Sequence, residues 1–262
     1  MNATDAHVPA AIPARSPGLR SLLVLVRCEI RMVVRDTAGL LVPLGLPLLI
    51  LLTSAGSAGE QEIVRGRTAL DLFVLPLIIV MVLTMVGVLN MPSFLATYRR
   101  TGVLRRLRVT PASPLMVMLA QVITSILQSA LGIGLAGALA VALFGANPPV
   151  YVLPALGVLA LAAAALYATG MIVAAVAPTP NSAVAIGLVA FLLLGASGGM
   201  FGGTEALPEP VAELGSHLPF GAAVEGLSAA WAGEPVAGTS VLSLTLTLVL
   251  GVGISAWLFR WD

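Results

Sequence analysis

A serine among glycines stands at the end of an apolar run and has the spacing of a reactive site. The stretch Gly195-Ala-Ser197-Gly-Gly199 fits G-x-S-x-G, a pattern that holds a nucleophilic serine on a sharp turn. Such a nucleophile needs a base within hydrogen-bond distance. The only histidines are His7 and His217, neither in an apolar segment, and the chain has no lysine. The pattern therefore favours a turn in the backbone over a catalytic serine.

Other reactive residue types are scarce. One cysteine, Cys28, excludes an internal disulfide and a cysteine-based metal site, and two histidines exclude a histidine cluster, so no metal site is expected. A phosphate-binding P-loop of the form G-x-x-x-x-G-K-[ST] needs a lysine to reach the β- and γ-phosphates. If ATP drives this protein, we expect another chain to bind the ATP and its magnesium.

The composition is that of a polytopic membrane protein. Of 262 residues, 58% are hydrophobic and 10% are charged, whereas soluble domains carry about 25% charged residues. A spanning helix needs about 20 mostly apolar residues. Six segments qualify: Thr37–Ser54, Leu72–Thr97, Leu115–Phe144, Tyr151–Val176, Ser182–Phe201 and Thr239–Phe259. The second contains Pro76 and Pro92, where we expect kinks.

The arginines predict the orientation. All thirteen basic residues are arginine, and eleven flank the same ends of the six segments: Arg15, Arg20, Arg27, Arg31, Arg35, Arg99, Arg100, Arg105, Arg106, Arg108 and Arg260. Basic residues accumulate in cytoplasmic loops, so both termini are expected in the cytoplasm. The arginine-only, Ala-, Gly- and Val-rich composition indicates a bacterial genome rich in GC, and hence a bacterial plasma membrane.

The N-terminal region divides into two parts. Residues 1–17 are polar and Pro/Ala-rich and are expected to be disordered. Residues 18–36 predict an amphipathic helix at the membrane interface, whose apolar stripe is Leu19, Leu22, Leu23, Val26, Ile30, Val33 and Val34. A basic segment that only anchors the topology is the alternative. Residues 37–262 form a single six-span domain.

A basic cytoplasmic loop, residues 98–114, lies between the second and third spans. A short helix over Gly102–Arg108 would place Val103, Leu104 and Leu107 on one side and Arg105, Arg106 and Arg108 around the rest. An anchor on anionic lipid explains the arginines. A docking helix for a partner also explains the apolar face and the two Pro turns that follow.

Four polar residues lie inside predicted spans: Asn90, Gln121, Ser125 and Gln128. The last three fall on one helical face. Polar groups in spans usually face the bundle interior or water. They either hydrogen-bond between helices or line a translocation path, and the spacing alone does not separate these roles.

The loop "GVLRRLRVTPASP" resembles the cytoplasmic loop of ABC type-2 permeases of the daunorubicin-resistance kind. The matching residues are Gly102, Leu104, Arg105, Arg106, Leu107, Arg108, Thr110, Pro111, Ser113 and Pro114. An acidic residue common before the glycine in that family is replaced here. The resemblance implies one half of a dimeric membrane domain, formed with a second copy or a sister permease. Two ATP-binding subunits would dock on a coupling helix at Gly102–Arg108.

The same resemblance gives the glycine stretch a role. In that family, a re-entrant pair of external helices precedes the sixth span. Ser197-Gly198 and Leu207-Pro208 match the family pattern, and Gly202-Gly203 replace a usual proline. The re-entrant break is therefore expected at Ser197, Gly198, Gly199, Gly202 and Gly203, with an external cap over residues 202–237. The fold expected is an all-α membrane protein with six transmembrane helices, an interfacial helix and this cap.

The function expected is that of an exporter subunit for an amphipathic or hydrophobic compound such as a drug, antibiotic or lipid. The alternatives are a carrier without an ATPase, a non-transporting scaffold or sensor, and a rhomboid-like intramembrane serine protease. A carrier would need intramembrane carboxylates for a coupling ion, for which Asp71 and Glu225 are the nearest candidates.

Overall fold

The computed structural model describes residues 18–58, 62–64, 66–102 and 114–258, and it is almost entirely helical. Within these ranges the helices are α1 (Leu19–Arg35), α2 (Thr37–Ala58), α3 (Leu70–Arg100), α4 (Pro114–Phe144), α5 (Val152–Val176), α6 (Pro180–Ser197), α7 (Glu209–His217), α8 (Pro219–Ala232) and α9 (Gly238–Leu258). Six of them, α2 to α6 and α9, are long and apolar enough to span a membrane. The six predicted spans are confirmed.

Helix α3 lies at the centre of the bundle. In its most apolar stretch 78% of the residues are buried, against 22% in α6 and in α9. Its side chains join those of α5, α8 and α9 in the largest hydrophobic cluster, which includes Val80, Leu83, Leu166, Phe220 and Leu244. A movement of α3 would therefore be transmitted to most of the bundle.

The two prolines of α3 change its hydrogen bonding without ending it. A π-helical turn at Leu70–Val74 precedes Pro76, and a second at Met85–Asn90 precedes Pro92. A proline ring collides with the carbonyl four residues earlier in a regular α-helix, and the wider π turn accommodates it. The kinks expected at these prolines correspond to π turns.

The outer faces of the spans are apolar, as a lipid environment requires. Large hydrophobic side chains project from several spans, among them Leu49, Leu153, Leu193 and Val249, each more than half exposed. An exposed apolar surface on this scale is unusual for soluble proteins, but it is the normal surface of a protein in hydrocarbon.

Helix α1 is amphipathic and packs chiefly against α4. Val26 and Val33 of the predicted apolar stripe are buried against the bundle, whereas Leu19, Leu23 and Val34 remain more than half exposed. The helix therefore divides its apolar residues between the protein and its surroundings. Its position at a membrane interface stays a prediction.

The connections outside the spans contain short elements. A two-stranded antiparallel hairpin, β1 (Glu62–Val64) and β2 (Arg67–Thr68), joins α2 to α3 and was not predicted. Between α6 and α9 lie a 3-10 turn at Thr204–Ala206 and the helices α7 and α8, of 9 and 14 residues. Both helices are shorter than the roughly 20 residues that cross a bilayer. A cap composed of two short helices fits this region, and its external, re-entrant placement stays a prediction.

Candidate coupling site and glycine break

Helix α3 ends where the predicted coupling loop begins. The backbone N–H of Gly102 donates to the Arg99 carbonyl at 3.2 Å, and Gly102 has a φ of +68°. Glycine adopts this left-handed conformation without the steric cost of a side chain, which is why it often follows the last helical turn. Of the predicted coupling residues, Gly102 is described, and the following lie outside the described residues: Val103, Leu104, Arg105, Arg106, Leu107 and Arg108.

A buried hydrogen bond joins the end of α3 to α1. The Tyr98 hydroxyl donates to Glu29 Oε2 at 2.5 Å, and both side chains are buried. Burial raises the pKa of the Glu29 carboxyl above its ordinary value, and the hydrogen bond from Tyr98 opposes this in part. A short hydrogen bond between two buried side chains is a directional contact.

The next residue, Arg99, joins α3 to α5. Its guanidinium donates to the carbonyls of Ala174, Ala175 and Ala177, with a distance of 2.7 Å to the Ala177 oxygen. Helix α5 ends at Val176, so these carbonyls belong to the end of a helix that leaves its last acceptors unpaired. A cation at this position also complements the helix dipole.

Sequence reasoning missed Glu29, although a signal for it exists. Val26, Glu29 and Val33 follow the i, i+3, i+7 spacing of one helical face, and all three are buried. A carboxylate on the buried side of an otherwise basic helix needs a partner. The chain pattern does not identify that partner, since Tyr98 is 69 residues away.

The predicted polar residues of the spans are buried, and two of them meet. Asn90 Nδ2 donates to the Gly39 carbonyl at 2.8 Å and to Gln128 Oε1 at 3.0 Å. Gln128 Nε2 donates to the same Gly39 carbonyl at 2.8 Å. These contacts connect α2, α3 and α4. The geometry of Asn90 and Gln128 favours interhelical bonding over a path lining.

The other two candidates lie on the same side of α4. Gln121 and Ser125 are each 2% exposed. The Ser125 carbonyl accepts from the Tyr167 hydroxyl at 3.1 Å, while Gln121 Oε1 has no hydrogen-bond partner in the described part of the chain. Neither residue lines the two cavities described below, and a contact with substrate stays a prediction.

The glycine stretch forms the turn that ends α6. Gly199, Gly202 and Gly203 have φ angles of +84°, +137° and +84°, which residues with side chains rarely adopt. The fifth span was predicted to continue to Phe201, but α6 ends at Ser197 because these glycines turn the backbone. The re-entrant role of this break stays a prediction.

The break is packed backbone to backbone against the next two helices. A Cβ atom on Gly215 of α7 would overlap the Ser197 carbonyl. Gly198 has a φ of −85°, which any residue can adopt. Gly198 still has no room for a side chain, since an added Cβ would lie 2.5 Å from the Phe220 ring. Close approach, and not backbone strain, requires glycine at this position.

Ser197 and His217 do not form a nucleophile–base pair. Ser197 Oγ donates to the Leu194 carbonyl at 3.1 Å. His217 Nδ1 lies 2.9 Å from the Glu213 carbonyl and 3.1 Å from Ser216 Oγ. Each side chain is therefore engaged with its own helix, which is the behaviour of structural residues and not of a protease site.

At the end of the bundle opposite Tyr98, Asp71 connects several elements. It is fully buried, and its carboxylate accepts from the Asn147 backbone N–H at 2.7 Å and from Asn147 Nδ2 at 3.0 Å. Trp231 of α8 donates to the Asn147 carbonyl at 3.2 Å. Asp71 therefore joins the start of α3 to the α4–α5 connection and, through Asn147, to α8.

Two cavities accompany this architecture. An apolar groove of about 570 Å³ lies between α4, α5 and α9, with Ile126, Ala163 and Leu248 among its walls. A second cavity of about 660 Å³ lies beside the glycine break, where Gly198, Phe73 and Val224 meet the carboxylates of Glu225 and Glu234. The second cavity has both apolar and acidic walls.

Comparison with known proteins agrees with the architecture. No curated protein matches the chain. The family model of the ABC-2 type transporter matches residues 20–231, which include α1, the first five spans, and the short helices α7 and α8. This match covers most of the chain and confirms the resemblance seen in the cytoplasmic loop. The chain is a membrane permease component and belongs to the ABC-2 type transporter family.

Proposed function

We propose that this chain is the membrane subunit of an ATP-driven exporter. The observation that carries the proposal is the family match over residues 20–231. The chain itself has no lysine and thus no P-loop of the usual kind. ATP and magnesium would accordingly be bound by two separate ABC ATP-binding subunits, and this chain would not be an enzyme.

The cytoplasmic loop is the proposed docking element. Residues Gly102–Arg108 would form the coupling helix, with the apolar side chains of Leu104 and Leu107 seated in the ATPase and the arginines around them. With six spans, both termini and this loop would lie on the same side of the membrane, and we infer from the arginine distribution that this side is the cytoplasm. The membrane would be a bacterial plasma membrane. Closure of the ATPase dimer would press on the loop and move α3.

The proposed substrate is an amphipathic or hydrophobic compound, such as a drug, antibiotic or lipid. The walls of the spans are apolar, and few charges lie within them. The cavity of about 660 Å³ beside the break combines apolar side chains with Glu225 and Glu234. We infer that it lies at the outer end of the path, beneath the cap formed by α7 and α8.

The functional unit would be a dimer of membrane subunits, either two copies of this chain or this chain with a sister permease. Variants of the four polar span residues would show, by their substrate preference, whether these residues line the path: Asn90, Gln121, Ser125 and Gln128. The hydrogen bonds of Asn90 and Gln128 support a bundle-stabilising role for that pair.

The carrier alternative has less support. A carboxylate that binds a coupling ion must exchange that ion for solvent, whereas Asp71 is fully buried and accepts hydrogen bonds from Asn147. Glu225 is exposed. The described acidic residues thus offer no enclosed ion site within the spans.

Reconstitution tests the proposal. The chain and its ATPase subunits, isolated together from native membranes, are placed in liposomes with a panel of fluorescent amphipathic dyes. We expect at least one dye to move only with ATP and magnesium, and not with the nonhydrolysable analogue AMP-PNP. Equal movement of dyes by the chain alone, without ATP, would support the carrier alternative.

A further inference from the structure

The last turn of α3 contains two adjacent side chains that hold different neighbours. Tyr98 donates to Glu29 of α1, and Arg99 donates to the terminal carbonyls of α5. We call this set, Glu29, Tyr98, Arg99 and the carbonyls of Ala174, Ala175 and Ala177, the basal clamp. Tyr98 and Arg99 lie within four residues of Gly102, where the loop leaves the helix.

Helix α1 also contacts the helix that follows the loop. It packs chiefly against α4, the helix into which the loop returns. Near this end, Leu95 and Tyr98 of α3 cluster with Val117 of α4 and Ala174 of α5. The end of α3, the first turns of α4 and the end of α5 thus share one buried cluster on both sides of the loop.

We propose that the basal clamp makes α1, α3 and α5 move as a single body when the ATPase acts on the loop, with Tyr98 and Glu29 as positioning residues. This inference rests on the proposed function. The clamp adds a specific transmission device to it: displacement of the end of α3 is shared with α1 through one buried hydrogen bond. It is shared with α5 through the Arg99 guanidinium.

The physical argument concerns directionality. Apolar contacts do not fix the relative orientation of two helices, because the hydrophobic effect is non-directional. A hydrogen bond requires a short distance and a correct angle, and its loss leaves a buried polar group without a partner. The Tyr98–Glu29 bond therefore fixes the position of α1 against α3 in a way that non-directional apolar contacts do not.

A single spin-label pair tests the clamp. Cys28, the only cysteine of the chain, is exposed on α1 next to Glu29, and Val176 is exposed at the end of α5. With Val176→Cys, nitroxides at these two positions report the distance across the whole clamp. Labelled chains are diluted with Cys28→Ser chains, so that only distances within one protomer contribute. The complex with its ATPase subunits is measured without nucleotide and with ATP plus vanadate.

We expect the wild-type distance to be the same in both states. In Tyr98→Phe, which keeps the aromatic ring but removes the donor, a second distance population should appear with ATP and vanadate. Leaving a buried hydrogen-bonding group unpaired corresponds to roughly a tenfold shift toward the separated form. Glu29→Ala should behave like Tyr98→Phe. Glu29→Gln, which keeps an acceptor oxygen, should restore the single distance, and Tyr151→Phe, an exposed tyrosine, serves as the matched control.

Two results overturn the inference: a wild-type distance that changes with nucleotide, or a Tyr98→Phe distance that is as constant as the wild-type one. Should Tyr98→Phe not assemble, the comparison of Glu29→Ala with Glu29→Gln decides the question from the other end of the bond. A wild-type chain that retains no ATPase subunits contradicts the proposed function itself and removes this inference with it.

Discussion

At the scale of single residues, Ser197 shows how a reactive motif becomes a structural one. Its hydroxyl donates to the Leu194 carbonyl within α6, while its own carbonyl lies against Gly215. The backbone of Ser197 thus matters for packing, and its side chain makes only a local contact. The two can be separated by mutation.

Ser197→Ala should keep most of the transport activity, because alanine fits the same space and no covalent intermediate is lost. Gly199→Val should reduce transport strongly, since a β-branched residue at a φ of +84° is strained. Gly215→Val should lower the free energy of unfolding by about 1–3 kcal/mol or more through overpacking. The measurement is export at matched membrane levels of each variant.

The control for these variants is Gly253→Val, a glycine in α9 with open space around it. Abolished export in Ser197→Ala with tolerance of both valine variants would contradict a structural turn. Labelling of Ser197 by a fluorophosphonate would restore the protease alternative.

Glu29 should make the stability of the protein depend on pH. Its pKa is raised in the folded state because the carboxyl is buried, so the folded protein holds this proton more tightly than the unfolded chain. The stabilisation from the protonated form is complete below the unfolded pKa and is lost as pH rises through the higher folded pKa. Glu29→Gln cannot ionise and should lack this contribution.

Thermal unfolding in detergent between about pH 4.5 and 8 measures the effect, as the difference between wild type and Glu29→Gln. We expect the variant to gain relative to wild type as pH rises. A difference of 1 kcal/mol corresponds to about 2–4 °C in melting temperature for a chain of this size. A difference that is constant with pH would show that Glu29 does not titrate in this range.

At the scale of elements, the six spans were predictable and their connections much less so. Hydropathy over about 20 residues is a local property, so α2 to α6 and α9 follow from the sequence with ends near those expected. The end of α6 at Ser197 depends on glycine backbone geometry, and the Tyr98–Glu29 bond depends on the packing of helices distant in sequence. Neither is encoded in a local hydropathy window.

The Asn90–Gln128 pair tests whether polar residues in spans stabilise helix packing. Asn90→Leu should lower stability by about 0.6–2 kcal/mol, the usual range for hydrogen bonds between membrane helices, without changing which compounds are exported. Gln121→Leu is the matched control. Gln121 Oε1 has no partner in the described ranges, so its replacement should cost less.

Melting temperature and substrate preference are both measured in these two variants. A changed substrate preference with unchanged stability in Asn90→Leu would assign Asn90 to the translocation path instead.

The coupling loop is the element on which ATP dependence should rest. Leu104→Asp or Leu107→Asp would place a charge on the proposed docking face, where it loses water without gaining a partner. We expect membrane insertion to be normal and ATP-driven transport to fall at least about tenfold, the effect of 1.4 kcal/mol or more. Val109→Asp, which follows the proposed helix and is not one of its predicted apolar residues, is the control.

Normal ATPase association and transport in both Leu variants would exclude this loop as the docking element. The assay is ATP-dependent dye movement in liposomes beside affinity capture of the ATPase subunits.

At the scale of the whole molecule, the chain has the features of one subunit of a larger complex. Its centre is a helix, α3, that is buried along most of its length and leads directly into the loop proposed to contact the ATPase. Its other end is held by Asp71 and Asn147 near the short helix α8. A push at the loop would therefore reach the region of the glycine break through α3.

Native mass spectrometry of the complex, purified through this chain from its own membranes, tests the central claim most directly. A mass that accounts for two membrane subunits, each of 26.7 kDa if the second is another copy of this chain, and two ATP-binding subunits is the predicted result. That complex should hydrolyse ATP, whereas the chain alone should not. Recovery of the chain without any ATP-binding subunit, together with transport in liposomes lacking ATP, would contradict the account.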